Sequence, residues 1–304
     1  MKFSIMTEPH LGGTYDQMLA AARLAEDKGL VSFARCDHYL SDRDPTPDGT
    51  DAFATLAGLA RDTSTLRLCV LVTPITFRHP AVVAKNAVSI DQMSEGRFDL
   101  GVGTGWMAYE HQAFGIPFPD SAERWARFEE ALDYLEAAFG PGRSHYEGRY
   151  YHLDAEVEPK PIGLRIVIGG SGKARTPRLA GERADEYNMF VCAPDEAKAK
   201  IATMREAAGD RHVEATVMGP AVVGNTEADY RDRLVDFAKR FGDGRDPDEL
   251  EARWKRSGMI FGLPEQAAEA VANLEAAGVE RIYLQWLDLT DYEGLATTVD
   301  IVCG

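Results

Sequence analysis

The sequence is poor in cysteine. Its 304 residues include four cysteines, Cys36, Cys69, Cys192 and Cys303, and no two of them form a CxxC pair. A disulfide-rich domain and a zinc framework both need closely spaced cysteines, so neither class fits. No histidines have a metal-ligand spacing such as HExxH, and we expect no protein-bound metal. Few, scattered thiols suit a reducing cytosol, so we expect a cytoplasmic protein.

Basic residues and long apolar runs are also scarce. Lysine and arginine total 33 against 49 acidic residues, which gives a formal net charge of −16. Such a surface repels nucleic acid and anionic membranes, and we expect neither as a partner. No apolar run approaches the roughly 20 residues of a membrane span. The N-terminal MKFSIMTEPH also lacks the basic-then-apolar pattern of a signal peptide.

Short β-rich runs alternate with helical patterns along the chain. The eight runs are Lys2–Met6, Val31–Cys36, Leu66–Val72, Arg97–Val102, Leu164–Ile168, Tyr187–Cys192, Ala215–Val223 and Arg281–Trp286. Helical patterns cover Thr14–Lys28, Ala52–Asp62, Ala81–Ser94, Ala122–Phe139 and Thr176–Arg183, and another begins at Asp195. This alternation predicts an α/β fold, a (β/α)8 barrel; a doubly wound sheet with a second domain is the alternative.

Two parts of the chain do not fit the simple alternation. A loop rich in Asp and Pro follows the second run, and the stretch Tyr146–Leu153 is aromatic and irregular. Extra charged helical patterns, Ala228–Phe241 and Pro247–Arg256, come before the last run. We interpret residues 228–257 as a helical insertion at the rim, serving as a lid or as an interface. No Pro/Gly/Ser linker divides the chain, so we expect residues 1–304 to form one domain.

Active sites of such barrels lie at the carboxyl ends of the strands. Asp37-His38 follows the second run and is a candidate acid/base pair, or His38 bonds a cofactor ring; a structural histidine is the alternative. Glu110 is a candidate general acid, or simply a carboxylate in the first turn of a helix. Trp106 is a candidate for contact with the substrate.

Two glycine-rich stretches follow the fourth and fifth runs. GVGTGW (101–106) fails the dinucleotide fingerprint GxGxxG because Trp106 replaces the third glycine. We interpret it as a place for a flat ring, with a close strand–helix junction as the alternative. GGSGK (169–173) precedes a helix, whose N-terminus attracts phosphate. An ordinary tight turn is the alternative there.

Several ordered segments resemble the luciferase-like monooxygenase superfamily and, more closely, its coenzyme F420-dependent oxidoreductases. They are ARCDHY (34–39), RHPAVVAKNAVSIDQMSEGRFDLGVGTGW (78–106), IVIGGSGKARTPRLAGERADEYN (166–188) and GMIFGLPEQAAEAVANLEAAGVERIYLQ (258–285). FMN-dependent members share much of this pattern, so the resemblance is less specific for the cofactor than for the superfamily.

The resemblance implies a deazaflavin or isoalloxazine ring at the strand ends, and a homodimer, since family members are often dimers. It implies a non-proline cis peptide near Val70–Leu71. The matched cofactor-binding positions are Asp37, His38, Val70, Leu71, Thr104, Gly105, Trp106, Tyr109, Ile168, Gly169, Gly170, Ser171, Gly172 and Lys173. The sugar-phosphate dehydrogenase branch has a glutamate at the position of Trp106, so we expect a different substrate.

The leading hypothesis is an F420-dependent oxidoreductase that transfers a hydride to or from a small organic substrate with a C=C, C=N or C=O bond. His38 or Glu110 would handle the proton. The alternatives are an FMN-dependent monooxygenase and a non-catalytic F420- or flavin-binding protein. Trp106, with Trp286, Tyr39 and Phe77, would form an apolar substrate wall. Cations for the longer F420 tail would come from Arg78, Lys85, Lys173, Arg175 and Arg178.

Overall fold

The computed structural model describes residues 1–41 and 49–304. Residues 42–48, which belong to the predicted Asp- and Pro-rich loop, lie outside the described residues. The strands are β1 Lys2–Thr7, β2 Ser32–Arg35, β3 Arg67–Pro74, β4 Phe98–Gly103, β5 Arg143–Glu147, β6 His152–Glu156, β7 Arg165–Gly169, β8 Glu186–Phe190, β9 Glu214–Val223, β10 Ile260–Gly262 and β11 Arg281–Trp286.

A short 3-10 helix, Pro9–Leu11, follows β1. The α-helices are α1 Tyr15–Asp27, α2 Ala52–Asp62, α3 Pro80–Met93, α4 Ala108–Phe114, α5 Ser121–Phe139, α6 Arg175–Arg183, α7 Pro194–Ala208, α8 Glu227–Phe241, α9 Pro247–Trp254, α10 Pro264–Ala276 and α11 Tyr292–Cys303. Within the described ranges, no helix has the length and apolar character that a membrane crossing requires.

Eight parallel strands close into a barrel, with helices packed around it. The strand order is β1-β2-β3-β4-β7-β8-β9-β11, and β11 pairs back to β1. The short β10 extends beside the end of β9. Both faces of such a sheet are covered, which explains why the strands read as nearly continuous apolar runs. The predicted (β/α)8 barrel is confirmed.

Local sequence signals set the helix boundaries. Thr14 caps α1, its hydroxyl accepting from the Gln17 N–H while the Gln17 side chain accepts from the Thr14 N–H. This reciprocal pair satisfies N–H groups that a helix start leaves without partners. A side chain also caps the start of each insertion helix, Thr226 for α8 and Asp246 for α9. The predicted helical character of the insertion is therefore confirmed.

Two parts of the sequence interpretation are wrong or incomplete. The stretch Tyr146–Leu153 is not irregular, because it spans the turn of an antiparallel hairpin formed by β5 and β6. Most of the residues of this hairpin are partly or fully exposed, so it lacks the apolar alternation that marks a half-buried strand. The strand β10 and the helix α10 that follows it were not predicted.

The middle of β3 comes unusually close to β4. The register between these strands shifts between Val70 and Thr73. The non-proline cis peptide joins Leu71 to Val72, one residue later than the predicted Val70–Leu71 bond. A Cβ added at Gly101 would lie 2.1 Å from the Val70 carbonyl oxygen. The first glycine of GVGTGW is therefore required for strand packing, and we find this role in place of a ring contact at that position.

Replacing Gly101 with alanine tests this close approach. The added methyl group would meet backbone, which cannot rotate away, so we expect a loss of about 1–3 kcal/mol in the free energy of unfolding. Denaturant unfolding of the variant measures this loss. Gly140→Ala is the control, since its nearest neighbour would be a carbonyl at 3.3 Å and its φ of −63° suits alanine. Equal stability of the two variants would contradict the packing role.

Candidate active site

A cavity of about 990 Å³ lies at the carboxyl ends of the barrel strands, between the rim and the helical insertion. Residues from the ends of all eight barrel strands line it, which include Glu8, His38, Pro74, Thr104, Gly170, Val191, Pro220 and Leu287. Convergence of eight strand ends on one concave site is what this fold provides for catalysis. The described residues hold no group of three or more His, Cys, Asp and Glu side chains arranged to bind a metal.

His38 and Glu110 form a hydrogen-bonded pair in this cavity. His38 Nδ1 lies 2.9 Å from Glu110 Oε1, and Oε2 of the same carboxylate accepts the Tyr39 N–H at 3.1 Å. The Glu110 side chain is 1% exposed. Burial alone lowers the pKa of His38, but the hydrogen bond and charge of Glu110 outweigh it and raise this pKa above its ordinary value. Glu110 therefore favours the protonated form of His38.

A second histidine lies against the first and was missed in the sequence. The rings of His10 and His38 are 5.0 Å apart, and His10 Nδ1 lies 3.3 Å from the Cys36 sulfur. Burial, with the nearby positive charges of His38 and Arg35, lowers the pKa of His10 to about 3. The surroundings thus shift the pKa values of the two neighbouring imidazoles in opposite directions. The sequence did contain a signal for His10, because this residue follows the first strand, where barrel active sites lie.

The loop after β4 forms one wall. Thr104, Gly105 and Trp106, which were predicted to contact the cofactor, line the cavity, and the Trp106 ring meets the His38 ring edge-on at 5.6 Å. Trp106 is 67% exposed, which places it at the mouth. Gly105 has a φ of 76°, a conformation that favours glycine. This wall offers backbone and a hydroxyl to a flat ligand.

The loop after β7 fits a phosphate group. Ser171 and Gly172 line the cavity, and Ala174 gives α6 no side-chain cap. The first N–H groups of α6 therefore have no capping side chain, which suits an anion. A Cβ on Gly172 would lie 2.5 Å from the Thr176 hydroxyl, so the loop approaches its helix closely. The residues present are compatible with the phosphate of a flavin-type cofactor.

Five predicted cofactor positions do not line the cavity; they are Asp37, Val70, Tyr109, Ile168 and Lys173. Their contact with a cofactor stays a prediction. Val70 and Ile168 are in the apolar core between barrel and helices. Tyr109 is 46% exposed, and Lys173 is also exposed. Leu71, Gly169 and Gly170, which were predicted beside them, do line the cavity.

Asp37 is engaged by Arg78. The Arg78 guanidinium binds both oxygens of Asp37, one of them at 3.1 Å, and also binds Asp51 at 2.5 Å and the Tyr39 hydroxyl at 2.5 Å. Asp37 is 1% exposed, so this bidentate pair offsets the cost of burying its charge. This network holds the loop after β2 in place. His38, the residue next to Asp37, lines the cavity.

Most of the residues predicted to form an apolar substrate wall do not line the cavity. Tyr39 stacks on Phe77 at 4.9 Å, and the Trp286 N–H donates to the Asp288 carbonyl at 2.6 Å. Of the four predicted wall residues only Trp106 lines the cavity. The insertion supplies the apolar wall instead, and sequence reasoning did not identify these residues. They are Phe237, Phe241, Leu250 and Trp254.

Four of the five cations predicted for an F420 tail are engaged by the protein. Arg78 is held as described, and Lys85 donates to the Glu158 carbonyl. Arg175 pairs with Glu129 at 2.8 Å, and Arg178 pairs with Glu182 at 3.0 Å. These pairs do not support a preformed cationic groove at these positions.

The family model for luciferase-like monooxygenases matches residues 1–284, and the chain belongs to this family. It is 26% identical over 264 residues to an FMNH2-dependent dimethylsulfone monooxygenase from Pseudomonas fluorescens, an alignment that covers 76% of this chain and 72% of that protein. It is 33% identical over 168 residues to an F420-dependent glucose-6-phosphate dehydrogenase from Kineococcus radiotolerans, which covers 54% of this chain and 49% of that enzyme. The matched region therefore spans about half the length of that dehydrogenase.

The fold is shared with solved structures of low sequence identity. A monooxygenase from Streptomyces bottropensis superposes with a TM-score of 0.83 at 19% identity, over 99% of this chain and 97% of that one. Family membership thus includes relatives that use F420 and relatives that use FMN.

The imidazoles of His10 and His38 should titrate in different pH ranges. We expect the His38 imidazole to lose its proton above pH 6.5, whereas His10 stays neutral down to about pH 3. In Glu110→Gln the carboxylate charge is gone and burial dominates, so the His38 midpoint should fall. NMR titration of the imidazole nitrogens measures both midpoints. A His38 midpoint that is the same in the two proteins would contradict the assigned cause.

Proposed function

We propose that this chain is a coenzyme F420-dependent oxidoreductase that transfers a hydride between the deazaflavin and a small organic substrate with a C=C, C=N or C=O bond. The observation that carries the proposal is a buried carboxylate, Glu110, bonded to a histidine, His38, that faces an open cavity. Addition of a hydride to such a bond leaves a negative charge, and a protonated acid nearby removes it.

Different residues of the chain would bind the cofactor and transfer the proton. Thr104 and Gly105 would hold the flat ring, and the loop 169–172 with the start of α6 would hold the phosphate. When bound, the deazaflavin supplies a carbon that accepts or releases a hydride. His38 donates its proton to the substrate atom that receives negative charge and becomes neutral. In the reverse reaction neutral His38 takes the proton from the substrate, and Glu110 stabilises the cation formed.

An FMN-dependent monooxygenase is the second candidate, and one observation favours it. FMN has a shorter tail than F420, and four of the five cations expected to hold the longer tail are already paired. A non-catalytic flavin-binding protein is a third possibility. It has less support, because the cavity beside His38 is open and holds a proton donor.

The affinities for F420 and FMN distinguish the first two candidates. We expect the purified protein to bind F420 more tightly than FMN, because the longer tail of F420 can make contacts beyond the phosphate loop that FMN cannot reach. Fluorescence titration with each cofactor measures both dissociation constants. Tight FMN binding with no F420 binding would reject the leading proposal and favour the monooxygenase.

A charge placed in the phosphate loop tests the binding mode of either cofactor. Ser171 is exposed and lines the cavity, so both Asp and Asn can replace it without repacking. Ser171→Asp should weaken cofactor binding at least about tenfold by repelling the phosphate, a difference of about 1.4 kcal/mol. Ser171→Asn, whose side chain has the shape of Asp without the charge, should change the cofactor affinity much less. Equal affinities of the two variants would show that the phosphate binds elsewhere.

A further inference from the structure

The insertion contributes one wall of the cavity. The insertion follows β9, which lies two strands beyond β7 around the barrel. Its contribution is apolar and aromatic, with Phe237 and Phe241 from α8 and Leu250 and Trp254 from α9. Phe237 and Trp254 pack edge-on at 5.3 Å. Such a wall favours a ligand with a planar or bulky apolar body.

Most charged side chains that line the cavity are already engaged. Glu8 accepts from the Gln285 amide, Glu110 bonds His38, and Asp243 pairs with Arg245 at 3.2 Å. Arg253 on α9 also lines the cavity. Across residues 1–41 and 49–304, no hydrogen bond or ion pair of the Arg253 guanidinium is found. Arg253 is exposed, and a guanidinium that has no partner among the described residues and lies beside an apolar wall can bind an anion.

We propose that the substrate is an apolar, aromatic-sized molecule that carries one carboxylate or sulfonate group, and that Arg253 binds this group. The apolar body lies against Phe237 and Trp254, and the reacting bond faces His38. This inference names the substrate class of the proposed oxidoreductase and in that respect rests on it. The binding claim itself concerns only residues of the insertion, so it can be tested without turnover.

Two dyes that share one aromatic framework distinguish binding of the anionic group from binding of the apolar body. Anilinonaphthalene sulfonate carries the anion, whereas phenylnaphthylamine lacks it, and both fluoresce when they bind in an apolar site. Arg253→Met should weaken binding of the sulfonate about tenfold, as loss of one charge-assisted bond does, and change binding of the neutral dye less than about twofold. Arg253→Lys, which keeps the charge, should recover part of the loss.

Arg256→Met is the matched control, because Arg256 is exposed, lies three residues further on and does not line the cavity. It should leave both dye affinities unchanged. Thermal unfolding of each variant checks that the fold is intact. If Arg253→Met leaves the ratio of the two dye affinities at the wild-type value, or if Arg256→Met changes it equally, the assignment of Arg253 is wrong.

The F420 affinity of the same variants separates this inference from the proposed function. We expect Arg253→Met to bind F420 as the wild type does. If F420 affinity falls as much as sulfonate affinity, Arg253 holds the cofactor tail and the substrate assignment is overturned. If the wild type does not bind F420 at all while the dye ratio still depends on Arg253, the anion site stands and the cofactor assignment fails.

Discussion

The site depends on one buried carboxylate. Glu110 bonds the His38 ring with one oxygen and the Tyr39 backbone with the other, so it ties α4 to the loop after β2. Without that charge, burial would favour a neutral His38. With it, the pKa of His38 is raised, whereas burial and nearby positive charges lower the pKa of the adjacent His10 to about 3. The chemistry of the rim thus follows from a residue that barely contacts solvent.

The rest of the cavity is divided between barrel and insertion. Strand ends supply backbone, glycines and a helix start without a side-chain cap, which are compatible with a ring and a phosphate. The insertion supplies aromatic side chains and Arg253, the group to which we assign substrate binding.

Fold class and much of the site could be predicted because strand number and strand ends are visible in the sequence. His38, Thr104 and Ser171 were predicted in this way, and all three line the cavity. Some of their predicted neighbours, such as Asp37 and Lys173, do not line it. Adjacent residues near a strand end point in different directions, and sequence alone does not reveal which of Asp37 and His38 faces the cavity.

The sequence also could not reveal which charged side chains form ion pairs. Arg78 and Arg175 had the correct charge for an anionic tail, but each is paired with a carboxylate that only the folded chain brings near. The apolar wall could not be predicted either, since the insertion shows its helices in the sequence but not the surface that they cover.

The central claim is that a deazaflavin ring lies beside the His38–Glu110 pair, with its phosphate at the start of α6. A crystal structure of the protein with F420 tests it most directly. The account predicts the ring against Thr104 and Gly105, in van der Waals contact with His38, and the phosphate bonded to the N–H groups of residues 171–176. A ring bound against Phe237 and Trp254, with the phosphate at Arg253, would contradict it.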